Sequence, residues 1–139
     1  MLNVQTVNAY FVRSQNTRVV IRQATCQDGF CLIIDADYNT SSYFRKVLSF
    51  RNMDSKSVDT NEDAIINLRR DNKSIICLLV NIDLVNQKVI EEIEHIKSIP
   101  YVAYTKDPKI MRELKNKYPH MNIMFKTSNI ALIDSLGVV

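Results

Sequence analysis

The chain has 139 residues, of which 46% are apolar and 24% are charged, and its formal net charge is +3. This length and composition are those of one globular domain. The two glycines, Gly29 and Gly137, exclude glycine-rich phosphate and dinucleotide loops, which need several glycines in one turn. No apolar run approaches the roughly 20 residues of a membrane span, and residues 1–10 lack a signal-peptide pattern. We therefore expect a cytoplasmic protein with reduced cysteines.

The first part of the chain predicts an extension ahead of the main domain. The stretches AYFV and RVVIRQ flank the polar stretch SQNT, a pattern typical of a β-hairpin. A two-stranded hairpin is unstable alone, so we expect this one to pack on the domain or on a partner. We assign residues 1–30 to the extension and residues 31–139 to one domain.

From residue 31 onward the sequence alternates between strand and helix patterns. Continuous apolar stretches with branched residues are typical of strands buried on both faces of a sheet. Such stretches, with one shorter segment, predict five strands: residues 31–35, 56–59, 75–80, 101–105 and 122–126.

Helices are predicted between these strands and after the last one. Thr60, Asn86 and Asp107 each suit the N-cap of a helix, and Pro108 suits the first helical position. A last short helix is expected at residues 129–136. Alternation of strand and helix implies right-handed crossovers, which predict a doubly wound α/β fold with a five-stranded parallel sheet of flavodoxin-like type.

Polar side chains lie where the strands end. Asp35 and Asp37 follow the first strand of the sheet, and Asn81, Thr105 and Lys126 end the third, fourth and fifth. The carboxyl ends of parallel strands meet at one edge of the sheet, where ligands bind in such folds. We therefore expect these five side chains to lie close together.

This order of acid, acid-equivalent, hydroxyl and lysine resembles the receiver domain of two-component response regulators. The resemblance covers residues 31–136. In that family an acidic pair after the first strand holds a magnesium ion, and an aspartate after the third accepts phosphate from a histidine kinase. A Thr or Ser after the fourth strand and a Lys after the fifth contact the phosphoryl oxygens. The resemblance implies that Asn81, in LLVNIDL, stands at the phosphoacceptor position, and that Thr105 and Lys126 keep the family's hydroxyl and amine.

The departures from the receiver pattern predict that its chemistry is lost. Asn81 carries a neutral amide, which is no nucleophile and forms no acyl phosphate. Ala36 stands at the second acidic position, so the pocket lacks carboxylates that a magnesium ion needs. Asp35 and Asp37 remain as the candidates for any residual metal binding, but we expect no metal, no cofactor and no catalytic residue.

Two expectations concern the charges near this pocket. Asp83 could replace the missing acceptor, but two residues beyond the strand end its side chain should point off the pocket. Lys126 should pair with Asp35 or Asp37 and donate to the amide oxygen of Asn81, which would satisfy the pocket without metal.

The cysteines point to no cofactor. Cys26 and Cys31 form a lone C-x4-C without a second ligand pair, which favours two small residues flanking a turn over a zinc site. Cys77 lies inside an apolar run and should pack as a small apolar residue.

The resemblance also implies a contact surface. Receivers dimerise or signal through the face made by their fourth helix, fifth strand and fifth helix. In this chain that face would combine basic and apolar residues: Lys109, Arg112, Lys115, Lys117, Ile123, Met124 and Ile130. We expect it to bind a protein partner or a second copy of the chain, for which the acidic helix at residues 87–96 is complementary. Nucleic acid is not expected to bind, because no helix-turn-helix follows Lys126.

These features predict a phosphorylation-independent, receiver-like regulatory module that is not an enzyme. His95 and His120 lie in no nucleophile–base pattern. Two settings remain open for the module. One is a degenerate response regulator that controls transcription, and the other resembles the atypical receiver of TadZ/CpaE-type pilus assembly ATPases, where it would serve localisation or dimerisation. The alternative is a plain flavodoxin-like domain whose strand ends happen to be polar.

Overall fold

The computed structural model describes residues 10–13, 19–22, 29–96 and 98–126. Strands β1 (Tyr10–Arg13) and β2 (Val19–Arg22) pair antiparallel. The predicted hairpin is therefore confirmed at its two strands. The boundary at residue 30 between extension and domain stays a prediction.

The remaining described elements alternate between strand and helix, as predicted. They are β3 (Phe30–Ile34), α1 (Tyr38–Phe50), β4 (Ser55–Val58), α2 (Asn61–Arg70), β5 (Ile75–Asn81), a short 3-10 helix (Ile82–Leu84), α3 (Gln87–His95), β6 (Tyr101–Thr105), α4 (Pro108–Lys117) and β7 (Ile123–Phe125). The strands β3 to β7 form one parallel sheet in the order β4-β3-β5-β6-β7. This confirms the doubly wound, five-stranded α/β fold. The helix predicted at residues 129–136, including Ile130, lies outside the described residues.

Side-chain caps start three helices where the sequence predicts them. Thr60 accepts the N–H of Asp63 over 3.1 Å, and Asn86 accepts the N–H of Val89 over 3.1 Å. Asp107 accepts an N–H from the first turn of α4 over 2.9 Å. Each cap satisfies a donor that the helix itself leaves unpaired. Each of these helices begins a few residues after a strand, so the connection between strand and helix is short. The polar residues of these connections therefore lie at one edge of the sheet.

The core has two layers because side chains alternate between the faces of the sheet. Leu32, Leu78 and Val80 lie on the face covered by α2, α3 and α4. Ile33 and Leu79 lie on the opposite face, where α1 packs. Burial on both faces explains why β3 and β5 read as continuous apolar runs.

Two cysteines face each other within this core. Cys77 of β5 lies opposite Cys31 of β3, and both thiols are free and fully buried. Contact with Cys31, together with burial, raises the pKa of the Cys77 thiol. The apolar role predicted for Cys77 is confirmed. The strand predicted from Cys31 onward is confirmed, since Cys31 lies in β3; Cys26 and the turn predicted between the two cysteines are not covered by the described residues except at Gly29.

Within the part of the chain that the structure describes, no helix is long and apolar enough to cross a membrane.

Candidate functional site

The carboxyl ends of β3 and β5 bring two predicted site residues into direct contact. The side-chain amide of Asn81 donates to Oδ1 of Asp35 over 3.3 Å. Both residues are buried. Ala36 is exposed and contributes no polar side-chain atom. The contact therefore joins one carboxylate and one amide at the place where the receiver pattern has carboxylates.

Both carboxylate oxygens of Asp35 accept hydrogen bonds from donors of the protein itself. Its Oδ1 accepts the N–H of Asp37 over 2.8 Å in addition to the Asn81 amide. Its Oδ2 accepts the hydroxyl of Tyr104 over 2.7 Å. Tyr104 is fully buried in β6, and burial together with the charge of Asp35 raises the pKa of the Tyr104 hydroxyl well above its ordinary value. The hydroxyl therefore stays protonated and donates to Asp35.

Tyr104 was not recognised from the sequence as a site residue. The available signal was a phenol in an otherwise apolar buried strand, directly before Thr105. A buried tyrosine hydroxyl needs a hydrogen-bond partner, which places a polar group near it. The partner is Asp35, which directly follows β3 and lies 69 residues earlier in the chain, so the sequence near Tyr104 does not identify it.

The amide of Asn81 uses both of its polar atoms. Its Nδ2 donates to Asp35, while its Oδ1 accepts the N–H of Asp83 over 3.0 Å. An ionised aspartate has no donor and could make only the second of these bonds. It would also bring a second carboxylate against Asp35, which is unfavourable without a cation or a proton. The structure thus uses asparagine here for a bond that aspartate cannot make.

Asp83 does not point off the pocket, so that prediction is wrong. Its Oδ1 accepts the hydroxyl of Thr105, and its Oδ2 accepts the N–H of Lys106 over 2.8 Å. The reason is the short 3-10 helix at Ile82–Leu84, which redirects the chain directly after β5. Strand alternation no longer applies there, and the carboxylate turns toward the end of β6.

Lys126 also differs from its prediction. Among the described residues it forms no ion pair within 4.0 Å with Asp35 or Asp37. Its Nζ donates to Oγ1 of Thr40 over 3.2 Å, and the Thr40 hydroxyl donates to Asp37. The lysine is 5% exposed, and burial lowers its pKa, although the negative charge of Asp35 opposes that shift. Lys126 therefore reaches an acid through a hydroxyl and makes no bond to the Asn81 amide oxygen, which Asp83 occupies.

The magnesium site implied by the receiver pattern does not fit these residues. The oxygens of Asp35 already accept three internal hydrogen bonds, and Asp37 is engaged by Thr40. A hard cation needs several free oxygen ligands, and Ala36 supplies none. No group of three His, Cys, Asp or Glu side chains within the described residues is arranged to hold a metal.

The predicted contact surface is only partly exposed. Lys109, Arg112 and Lys117 are exposed on α4. Ile123 is 1% exposed and belongs to the core, so its inclusion was wrong. The three-residue strand β7 pairs with β6 and turns this side chain under the helices. Met124 is half-buried on the opposite side of the sheet, against the layer under α1.

A groove beside α4 contains an apolar residue that sequence reasoning missed. Phe125, in the edge strand β7, is 43% exposed. The groove has a volume of about 490 Å³ and combines apolar with basic and polar residues: Pro108, Met111, Arg112, Lys115, Asn116 and Phe125. An exposed aromatic ring beside cationic side chains is a composition typical of contact surfaces.

Comparison with known proteins identifies the fold. No family model matches the chain, and no curated protein matches it in sequence. A response regulator receiver protein from Sinorhizobium medicae WSM419 is similar in structure, with a TM-score of 0.62 and 17% identity over 79% of this chain and 92% of that one. A response regulator receiver domain protein from Clostridium thermocellum gives a TM-score of 0.61 and 11% identity over 78% of this chain and 94% of that one.

A designed protein is about as similar in structure to this chain as the two receiver proteins are. A de novo designed Rossmann 2x3 fold protein matches with a TM-score of 0.60 and 16% identity over 76% of this chain and 84% of its own. At such identities the similarity concerns architecture, and function has to be inferred from the site. The chain therefore has the α/β fold of response regulator receiver domains.

Proposed function

We propose that the chain is a cytoplasmic, receiver-like regulatory module that acts through protein contacts, without phosphorylation and without catalysis. The observation that carries this proposal is the bond between Asn81 and Asp35. An amide donor at the acceptor position saturates the carboxylate that a phosphorylating receiver would use for its metal. The scaffold is kept, while the group that would take the phosphoryl is replaced by one that cannot.

Among the side chains that the structure describes, the pocket offers no alternative catalytic pair that is open to a substrate. Thr105 donates to Asp83, which superficially resembles a nucleophile with its base. Thr105 is fully buried, so its oxygen cannot reach a substrate without a rearrangement of β6. The other polar groups hold one another: Tyr104 and Asn81 bind Asp35, and Lys126 binds Thr40. These contacts support a structural role for the pocket.

Acetyl phosphate with magnesium tests the loss of phosphorylation. We expect the unmodified chain to acquire no covalent phosphoryl group by intact-mass measurement, because Asn81 has no nucleophilic oxygen. The Asn81→Asp/Ala36→Asp variant restores both missing carboxylates and is the matched control, expected to gain labelling. A phosphoryl group mapped to Asp83 or Asp37 of the unmodified chain would contradict the proposal.

Charge reversal on α4 tests the contact surface. Arg112→Glu together with Lys115→Glu should weaken self-association or partner binding about tenfold, because both side chains line the groove with Phe125. Sedimentation or light scattering at low ionic strength measures the effect. Arg45→Glu/Lys46→Glu, two exposed residues on α1, is the charge-matched control. An unchanged mass together with unchanged partner capture would remove this surface from the proposal.

The setting that resembles TadZ/CpaE-type pilus assembly proteins is a second candidate. The observation that favours it is the antiparallel hairpin β1–β2 ahead of the α/β fold, combined with the lost acceptor. In that setting the module would serve localisation or dimerisation ahead of an ATPase domain. A glycine-rich ATP-binding loop encoded after residue 139 would support this setting, and a helix-turn-helix there would support a degenerate transcriptional response regulator.

A further inference from the structure

The strand β4 has a neighbour on one side only within the sheet that the structure describes. It pairs with β3, and the strand order places it at the edge. The carbonyls of Asp54 and Val58 accept N–H groups at the two ends of β3, over 2.9 and 3.1 Å. Because backbone groups alternate in direction along a strand, those of Ser55 and Ser57 point away from β3. This edge therefore presents main-chain donors and acceptors to a further strand.

The side chains of β4 leave room along the edge on the face that α1 covers. Ser57 lies opposite Ile33, which belongs to the core layer under α1. Ser55 comes two residues earlier and shares that face. The exposed Lys56 lies opposite Leu32 and therefore on the other face. A lysine discourages pairing at a strand edge, but on the α1 side only two small serines border the edge.

A groove between α1 and β4 adjoins this edge. Its volume is about 450 Å³, and it combines hydroxyl and basic side chains with one thioether and one carboxylate: Ser42, Arg45, Lys46, Ser49, Met53, Asp54 and Ser55. The four residues from α1 have the spacing of one helix face. The groove thus contains two cations against the single carboxylate of Asp54, and the sequence of α1 itself contains no acid.

We propose that the free edge of β4 and the adjoining groove bind an extended, acidic segment of a partner protein, which adds a sixth strand to the sheet. Main-chain hydrogen bonds to Ser55 and Ser57 provide affinity, as in other complexes formed by strand addition. Alternate side chains of the added segment point to the α1 face, where Arg45 and Lys46 favour acids. The inference rests on the proposed function only for the role of protein contacts, and it names a surface separate from α4.

The combination of a strand edge with a basic groove favours a peptide over other partners. Nucleic acid would be attracted by the cations, but it has no peptide groups to pair with the edge. A second copy of the chain offers no suitable segment among the described strands, because none of them contains an Asp or Glu residue. A partner with an acidic extended segment satisfies both features.

The test uses a labelled ten-residue peptide that alternates glutamate and valine, with binding measured by fluorescence anisotropy at low ionic strength. We expect it to bind to the unmodified chain about tenfold more tightly than the matching lysine–valine peptide, because the groove is basic. The glutamate–valine peptide with every backbone amide N-methylated keeps the charges and lacks the main-chain donors. It should also bind about tenfold more weakly.

Two variants of the chain separate the edge from the groove. Ser57→Pro removes an outward N–H group, which proline allows in an edge strand, and should weaken peptide binding about tenfold. Arg45→Glu/Lys46→Glu should abolish binding. The same variant is the control for self-association through α4, so the mass of the chain should stay unchanged. Arg112→Glu/Lys115→Glu should bind the peptide like the unmodified chain.

Four results would overturn the inference. They are no binding of the glutamate–valine peptide, equal binding of its N-methylated form, equal binding of an oligothymidylate of the same charge, and a lower mass of Arg45→Glu/Lys46→Glu, which would assign the groove to a second copy. The N-methylated peptide tests strand addition even if Ser57→Pro does not fold. None of these results contradicts the proposed function, which is decided by covalent labelling and by the charge reversal on α4.

Discussion

Tyr104→Phe is expected to lower the free energy of unfolding by about 1.5–3 kcal/mol. The substitution removes the donor to Oδ2 of Asp35 and leaves that oxygen of a buried carboxylate without its partner. The ring itself remains, so its edge-on contact with Phe44, at 5.8 Å between centroids, is kept. Chemical denaturation at neutral pH measures the loss, and Tyr43→Phe, a half-buried tyrosine on α1, is the matched control with an expected effect below about 0.5 kcal/mol.

The same variant should change the dependence of stability on alkaline pH. Burial and Asp35 raise the pKa of Tyr104 in the folded chain, so the folded state keeps a proton that the unfolded state loses above about pH 10. The unfolded state then binds fewer protons, and stability falls as the pH rises, by up to about 1.4 kcal/mol per pH unit for this group. Tyr104→Phe removes this contribution. Identical alkaline slopes for the two proteins would show that the hydroxyl is not held as the structure indicates.

Gly29→Ala is expected to lower the free energy of unfolding by about 1–3 kcal/mol, through steric crowding. A Cβ at Gly29 would lie 2.5 Å from Cγ1 of Ile76 and 2.8 Å from the backbone oxygen of Ser74. The oxygen of Ser74 accepts the N–H of Phe30 over 2.9 Å, so it cannot retreat without breaking the start of the β3–β5 pairing. Urea unfolding should show a lower midpoint with an unchanged m-value.

A second substitution separates the two contacts of this glycine. Ile76 is half-buried, and a smaller side chain there relieves only the side-chain contact. The double variant Gly29→Ala/Ile76→Ala should therefore still unfold at a lower urea midpoint than Ile76→Ala alone, because the contact with the Ser74 oxygen remains. Full recovery would show that the backbone contact with Ser74 is not the source of the destabilisation.

The elements of the fold follow from local patterns in the sequence. The run from Ile75 to Val80 is a buried strand because its side chains are apolar on both faces, and Thr60, Asn86 and Asp107 cap helices because their side-chain oxygens accept nearby N–H groups. These interactions span only a few residues, so they can be read from the chain in order. The parallel sheet then follows from the alternation of elements.

The contacts of the site were decided by the tertiary structure. Asn81 and Asp35 meet because they end adjacent parallel strands, and this much the strand order predicts. The bond of Tyr104 to Asp35, the turn of Asp83 toward Thr105 and the binding of Lys126 to Thr40 each join groups from different elements. Such bonds depend on the direction of the loops and on which donor lies within hydrogen-bond distance of the acceptor in the folded chain. The sequence by itself thus determined the scaffold and the absence of an acceptor carboxylate at Asn81. Only the packing of distant elements decided which groups fill the pocket. The reason is that a buried polar atom forms a hydrogen bond with a partner that is near in space, whatever its distance along the chain.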